Sequence, residues 1–152
     1  NWTGKWPAIP NDFIPPTVSF DFLGFTFQPR PTGSKSGRMF LGFDCAISTK
    51  SRKKITEVFR DSKFHKWTLS DITRIADEFN PKIQGWINYY GRFRKYSLMK
   101  IFRIFHRRIM LWAVNRYKRF NGSMRRAGRW LYELSRHQTD LFVHWRDGFH
   151  GA

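Results

Sequence analysis

The chain is poor in cysteine, in negative charge and, beyond residue 31, in proline. Its one cysteine, Cys45, excludes an internal disulfide and a cysteine-rich zinc site, and it suits a reducing compartment. No uncharged run approaches the length of a bilayer span and no secretory apolar segment opens the sequence, so no membrane partner is expected. No glycine-rich phosphate loop occurs, and no histidine pair stands at metalloprotease spacing with a carboxylate. Eleven Asp and Glu face 28 Lys and Arg, for a formal charge of +17. What is abundant is aromatic: 16 Phe and 7 Trp in 152 residues. That payload excludes a disordered basic tail, and a chain of this size buries roughly 70% of its unfolded surface.

The charge is uneven. Residues 1–48 carry a net of +1 and residues 49–152 a net of +16. From 79 to 132 there is no acidic residue, against 14 Lys and Arg. A field of one sign over such a stretch opposes compaction unless a polyanion neutralises it. Nucleic acid is the leading partner, although charge alone would also fit a membrane surface or an acidic protein.

Proline and periodicity divide the chain. Six of seven prolines lie at or before Pro31, so residues 1–17 read as an irregular lead-in. Residues 18–47 read as a β-hairpin with a long loop over Gln28–Gly37. In its first strand Phe20 and Phe22 share one phase of alternation and Phe25 and Phe27 the other, and the slip at Leu23-Gly24 suggests a bulge or a close backbone approach. From Ser48 the period is helical. One helix runs to about Asp61 from a Ser48 or Thr49 cap, and a second opens at the capping-box-like Thr68-Leu69-Ser70-Asp71, with Leu69 on its apolar stripe. Asn80-Pro81 ends the second and starts a third, which Gly91 stops. Ser97 opens the longest helix, about 34 Å if it reaches Phe120. Asn121-Gly122 ends it and Ser123 caps the next. The expected fold is α+β, mostly α: a hairpin, then a helical bundle over 48–147 and a short tail over 148–152.

The candidate binding residues are basic. Lys100, Arg103, Arg107, Arg108, Arg116, Lys118 and Arg119 lie on the long helix, Arg92, Arg94 and Lys95 before it, and Arg125, Arg126 and Arg129 after it. Arginine outnumbers lysine ten to three in residues 92–129, which suits bidentate phosphate contacts. Tyr89 is the candidate exposed base stacker, whereas Trp86 and Tyr90 fall on the apolar face. No catalytic or metal residue is assigned. Asp77 and Glu78 are adjacent on a helix and point apart, and His144, between Val143 and Trp145, reads as a packed, hydrogen-bonded histidine.

Two segments carry a resemblance. Phe20-Asp21-Phe22-Leu23-Gly24-Phe25-Thr26-Phe27-Gln28-Pro29-Arg30 is similar to the end of the palm of group II intron-encoded reverse transcriptases. Asn80-Pro81-Lys82-Ile83-Gln84-Gly85-Trp86-Ile87-Asn88-Tyr89-Tyr90-Gly91 resembles the signature of their maturase-specific thumb. Leu111-Trp112-Ala113, Tyr117-Lys118-Arg119 and Leu141-Phe142-Val143-His144-Trp145 resemble the rest of that thumb, in order. The resemblance implies a C-terminal piece of a reverse transcriptase/maturase. Its implied partners are structured group II intron RNA and an RNA–DNA template–primer, and its implied compartment is a bacterial cytoplasm or an organelle. Phe22, Leu23, Gly24 and Phe25 would correspond to a primer-grip region. The family's Tyr-Ala-Asp-Asp motif is not in this sequence, so the chain alone should be inactive, with no cofactor of its own; magnesium is expected only for the full-length polymerase. The alternative is a stand-alone RNA-binding splicing factor. Without a palm, the hairpin is expected to lie against the fingers and palm of a longer protein or against a second copy.

Overall fold

A computed structural model of the chain describes residues 19–33, 39–91 and 95–150. The proline-rich lead-in, the end of the predicted loop, and Arg92 and Arg94 lie outside the described residues. Three antiparallel strands, β1 (Phe20–Phe22), β2 (Phe25–Gly33) and β3 (Met39–Ile47), form one sheet in that order. Helices α1 (Thr49–Asp61), α2 (Ile72–Tyr90), α3 (Met99–Arg116), α4 (Met124–His137) and the short α5 (Val143–Arg146) follow. The class is the predicted one, α+β and mostly α.

The slip at Leu23-Gly24 is a turn rather than a bulge. Leu23 (φ +49°) and Gly24 (φ +85°) are both left-handed, and Phe22 pairs with Phe25 across them. Two positive φ values in a two-residue loop are the pattern of a type I′ hairpin, so one expected strand is two. The close approach is real. A Cβ on Gly24 would stand 2.9 Å from Ser51 Oγ and 3.3 Å from the Tyr90 ring. Strand β2 also runs on to Gly33, through residues expected to be loop. Its Pro29 and Pro31 are tolerated because β1 pairs only with Phe25–Phe27, leaving the rest of that edge of β2 without β1 ladder bonds to lose.

Helix α1 begins as expected: Ser51 N–H donates to Ser48 Oγ at 3.1 Å. Helix α2 departs from expectation twice. It starts only at Ile72, Leu69 is 97% exposed, and the N-cap Asp71 makes no side-chain cap bond. Its carboxylate is taken by Arg116, whose Nη2 donates to Asp71 Oδ1 at 2.9 Å. Nor does Asn80-Pro81 break the helix, since Pro81 lies inside it. Asn80 is not a cap: its Nδ2 donates to the Leu141 carbonyl at 2.9 Å and its Oδ1 accepts from Val143 N–H at 3.1 Å. One side chain thus fastens the segment leading into α5 to the middle of α2. The helix tolerates the missing proline N–H because its buried stripe, Ile75, Ala76, Phe79 and Ile83, continues across it.

Helix α3 ends at Arg116, about 27 Å long rather than 34 Å. It is preceded by a 3₁₀ turn at Lys95–Leu98 and followed by extended Tyr117 and a second turn at Lys118–Phe120. The break comes from packing. The Tyr117 ring lies edge-on to Trp112, Phe120 and Trp130 at 5.7 to 5.8 Å. The left-handed pair Asn121 and Gly122 then turns the chain, and Ser123 caps α4. The core centres on four fully buried rings, Phe59, Phe64, Phe79 and Phe105. Phe59 and Phe105 stack at 4.6 Å, and Phe79 stands 5.3 Å from Phe105. Trp112 satisfies its indole N–H on the Trp67 carbonyl at 2.8 Å.

Candidate nucleic-acid interface

Helix α3 buries Ile101, Phe102, Phe105, Ile109, Trp112 and Ala113, which fixes what it shows to solvent. At 100° per residue, Lys100, Arg107 and Leu111 stand opposite that stripe, with Arg103 on one flank and Ile104 and Arg108 on the other. Lys100, Arg103 and Arg107 are exposed and Arg108 is half-buried. On α4 the buried stripe is Ala127, Gly128, Leu131 and Ser135, so Arg125, Arg129, Tyr132 and Arg136 form an exposed row. The two helices meet closely at Gly128, where a Cβ would lie 2.9 Å from Met110 Cε. Between them Ile104, Arg107, Arg108, Leu111 and Met124 line an open groove of about 490 Å³. Arginines and half-exposed aliphatics thus share one surface.

The remaining predicted residues divide. Arg126, Lys118 and Arg119 are exposed, and the Arg119 guanidinium lies 4.9 Å from the Tyr117 ring and 5.0 Å from Phe120. Arg116 is committed inside the fold: it donates to the Thr68 carbonyl and to Asp71, and it holds the entrance of α2. Lys95 belongs to the 3₁₀ turn before α3. Tyr89 is 46% exposed, but its hydroxyl donates to the Leu23 carbonyl at 2.7 Å and its ring stacks on Phe25 at 5.6 Å. From the other side Ser48 N–H donates to the Gly24 carbonyl at 2.8 Å. The Phe22–Phe25 turn is therefore tied to the start of α1 and the end of α2. Phe25 is buried there, while Phe22 and Leu23 are 60% and 67% exposed.

Compared with known protein families, residues 49–130 match the group II intron, maturase-specific domain. The match takes in α1, α2, α3 and the first half of α4, more than half of the chain. The chain belongs to this family. That membership ties it to group II intron splicing. Comparison with curated proteins and with solved structures gives no match.

The maturase-specific domain adds cations that the linear reading missed. The 3₁₀ turn at Phe64–Lys66 packs on α3, with Asn115 Nδ2 donating to the His65 carbonyl at 3.1 Å. The His65 imidazole is held below its ordinary pKa by burial, then by Arg108, Lys66 and Lys63. Lys63 and Lys66 therefore belong to the same positive field as Arg108, though more than 40 residues separate them. No local motif marks them; only the docking of the turn does. Arg136 and Tyr132 were also missed, although their spacing from Arg125 and Arg129 was legible.

The helical part of the chain also buries two histidines side by side. His106 and His144 stand Nε2 to Nε2 at 2.7 Å, and Trp145 Nε1 donates to His106 Nε2 at 3.3 Å. Because the indole can only donate, His106 Nε2 is the acceptor and carries its proton on Nδ1. His144 then donates from Nε2, and its Nδ1 is a buried acceptor without a partner. Burial pushes His106 down to about 4 and His144 well below the ordinary range. Both are therefore neutral in the fold. Among the described residues no three His, Cys, Asp or Glu side chains stand where together they could hold a metal ion. Nor, among them, is any helix long and apolar enough to cross a membrane.

Proposed function

We propose that this chain binds structured group II intron RNA through the arginine surface of α3 and α4, by phosphate and shape contacts. The observation that carries the reading is the alignment of Lys100, Arg103, Arg107, Arg125, Arg129 and Arg136 on the exposed faces of two packed helices. No acidic residue occurs between Glu78 and Glu133, the stretch that holds all of them but Arg136. Planar guanidinium groups on a rigid scaffold suit the phosphate oxygens of a folded polyanion.

A second role, holding a template–primer duplex in a reverse transcriptase, is favoured by one feature. The Phe22–Phe25 turn is anchored to the bundle yet presents Phe22 and Leu23 outward. Such a tip fits a contact with substrate, with the rest of a polymerase or with a second copy. A splicing factor without polymerase activity uses the same arginine surface. Whether a Tyr-Ala-Asp-Asp reading frame is fused upstream separates the two.

Salt dependence tests the RNA reading. If 6–10 phosphates are contacted, filter binding to a group II intron RNA should lose about 10³–10⁵ in affinity between 50 and 200 mM salt. A flat dependence would remove the electrostatic mechanism.

A further inference from the structure

Beside the arginine row the surface dips into a depression of about 190 Å³ between α3, α4 and the last described residues. Its walls include Phe102, Arg103, His106, Tyr132, Phe149 and His150, and no carboxylate lines it. The chain builds it with some care. Gly148 takes φ +87°, a conformation open to glycine, and this turns the backbone after α5. Gly148 N–H donates to the Trp145 carbonyl and Phe149 N–H to the His144 carbonyl, both at 3.1 Å. Phe149 folds back onto α3, its ring 4.8 Å from Phe102. Opposite, Tyr132 is 41% exposed, with the Arg136 guanidinium 5.9 Å from its ring.

We propose that this depression receives one unstacked nucleotide of a bound RNA, its base against Tyr132 and its phosphate on Arg103. The inference rests on the RNA-binding reading and makes it more specific. Three features select a base over another ligand. The walls are aromatic, and a base offers a π-face of matching size. The Tyr132 ring is 41% exposed, and a stacking platform must be reachable from solvent. The tautomer fixed by Trp145 leaves His106 with a proton on Nδ1, a donor for the ring nitrogens and carbonyls that every base carries. Among the described residues no carboxylate pairs with Arg103, so its guanidinium is available to the attached phosphate, and Arg136 stands near the next one.

The test compares two probes on the full chain: a 12-nucleotide single-stranded RNA and a blunt RNA duplex of similar total charge. Tyr132→Ala should weaken single-strand binding about tenfold and leave duplex binding unchanged, while Tyr132→Phe, which keeps the platform, should bind like the parent. With 4-thiouridine in the single strand, crosslinks should map to α4 or to residues 148–150. Equal losses on both probes, or no loss on either, would overturn the nucleotide site while leaving RNA binding standing. Failure of the parent chain to bind either probe would overturn the RNA reading and this site with it. Because Tyr132 is part of no buried cluster, circular dichroism melting of Tyr132→Ala should match the parent; a large drop would mean that the ring supports the fold and serves no ligand.

Discussion

Phe105 in the helical bundle and Phe25 in the sheet are both buried, but their surroundings differ in kind. Phe105 has four phenyl rings within 6 Å, those of Phe59, Phe64, Phe79 and Phe142, drawn from α1, the turn after it, α2 and the segment before α5. Phe25 meets Tyr89 and Tyr90, which both belong to the end of α2. The rings around Phe105 therefore all come from the helical part of the chain, with Ile47 of β3 joining the same core at its edge, whereas the sheet's tip draws on groups borrowed from the helices, among them two rings, the Tyr89 hydroxyl and the Ser48 amide. A bundle of this kind can carry a rigid cationic surface. A tip of this kind can be reshaped without disturbing it.

The sharpest way to break the comparison is to remove its central ring. Phe105→Ala should cost about 3–5 kcal/mol in urea unfolding, because the cavity would be lined by rings from α1, α2 and the segments after α1 and before α5. The paired change Arg103→Ala with Arg107→Ala should move stability by no more than about 0.5 kcal/mol while weakening RNA binding. Similar stability losses in the two would mean that the faces of α3 are assigned wrongly.

Acid should act on the bundle before the sheet. His106 and His144 are neutral in the fold with pKa values below those of the unfolded chain, about 6.5. The unfolded state thus takes up protons first as pH falls. Their contribution is full above pH 6.5 and is lost progressively below it, by up to about 1.4 kcal/mol per pH unit for each histidine. Urea midpoints at pH 7.5, 6.0 and 5.0 should fall in that order. An unchanged midpoint would mean that the pair is hydrated rather than buried. No histidine lies between residues 19 and 47, so the turn has no such dependence of its own.

A smaller effect belongs to the tip. Tyr89→Phe deletes the bond to the Leu23 carbonyl and should cost about 1 kcal/mol, read as faster amide exchange in residues 20–27 with little change in α3. Global loss of protection would show that the sheet is part of the bundle's cooperative unit.

Periodicity and punctuation by themselves determined the class of the fold, the Ser48 and Ser123 caps, the stop at Gly91 and the arginine-rich faces. Each depends on neighbours within one or two turns, where side-chain direction follows from backbone geometry. The same local rules misplaced three boundaries because a distant group had the stronger interaction. Arg116 took the Asp71 carboxylate from the N-terminus of α2, Asn80 bridged to Leu141 and Val143 instead of capping a helix, and Tyr117 left α3 to meet Trp130. Only the tertiary structure could decide which cations share a field, since Lys63 and Lys66 reach Arg108 through the docking of a 3₁₀ turn on α3. It alone could pair His106 with His144, because burial and the Trp145 indole, not spacing, fix their protons. A sequence specifies the faces of its helices through a short-range repeat. Packing chooses which faces meet, because that choice is made by contacts between residues far apart in the chain.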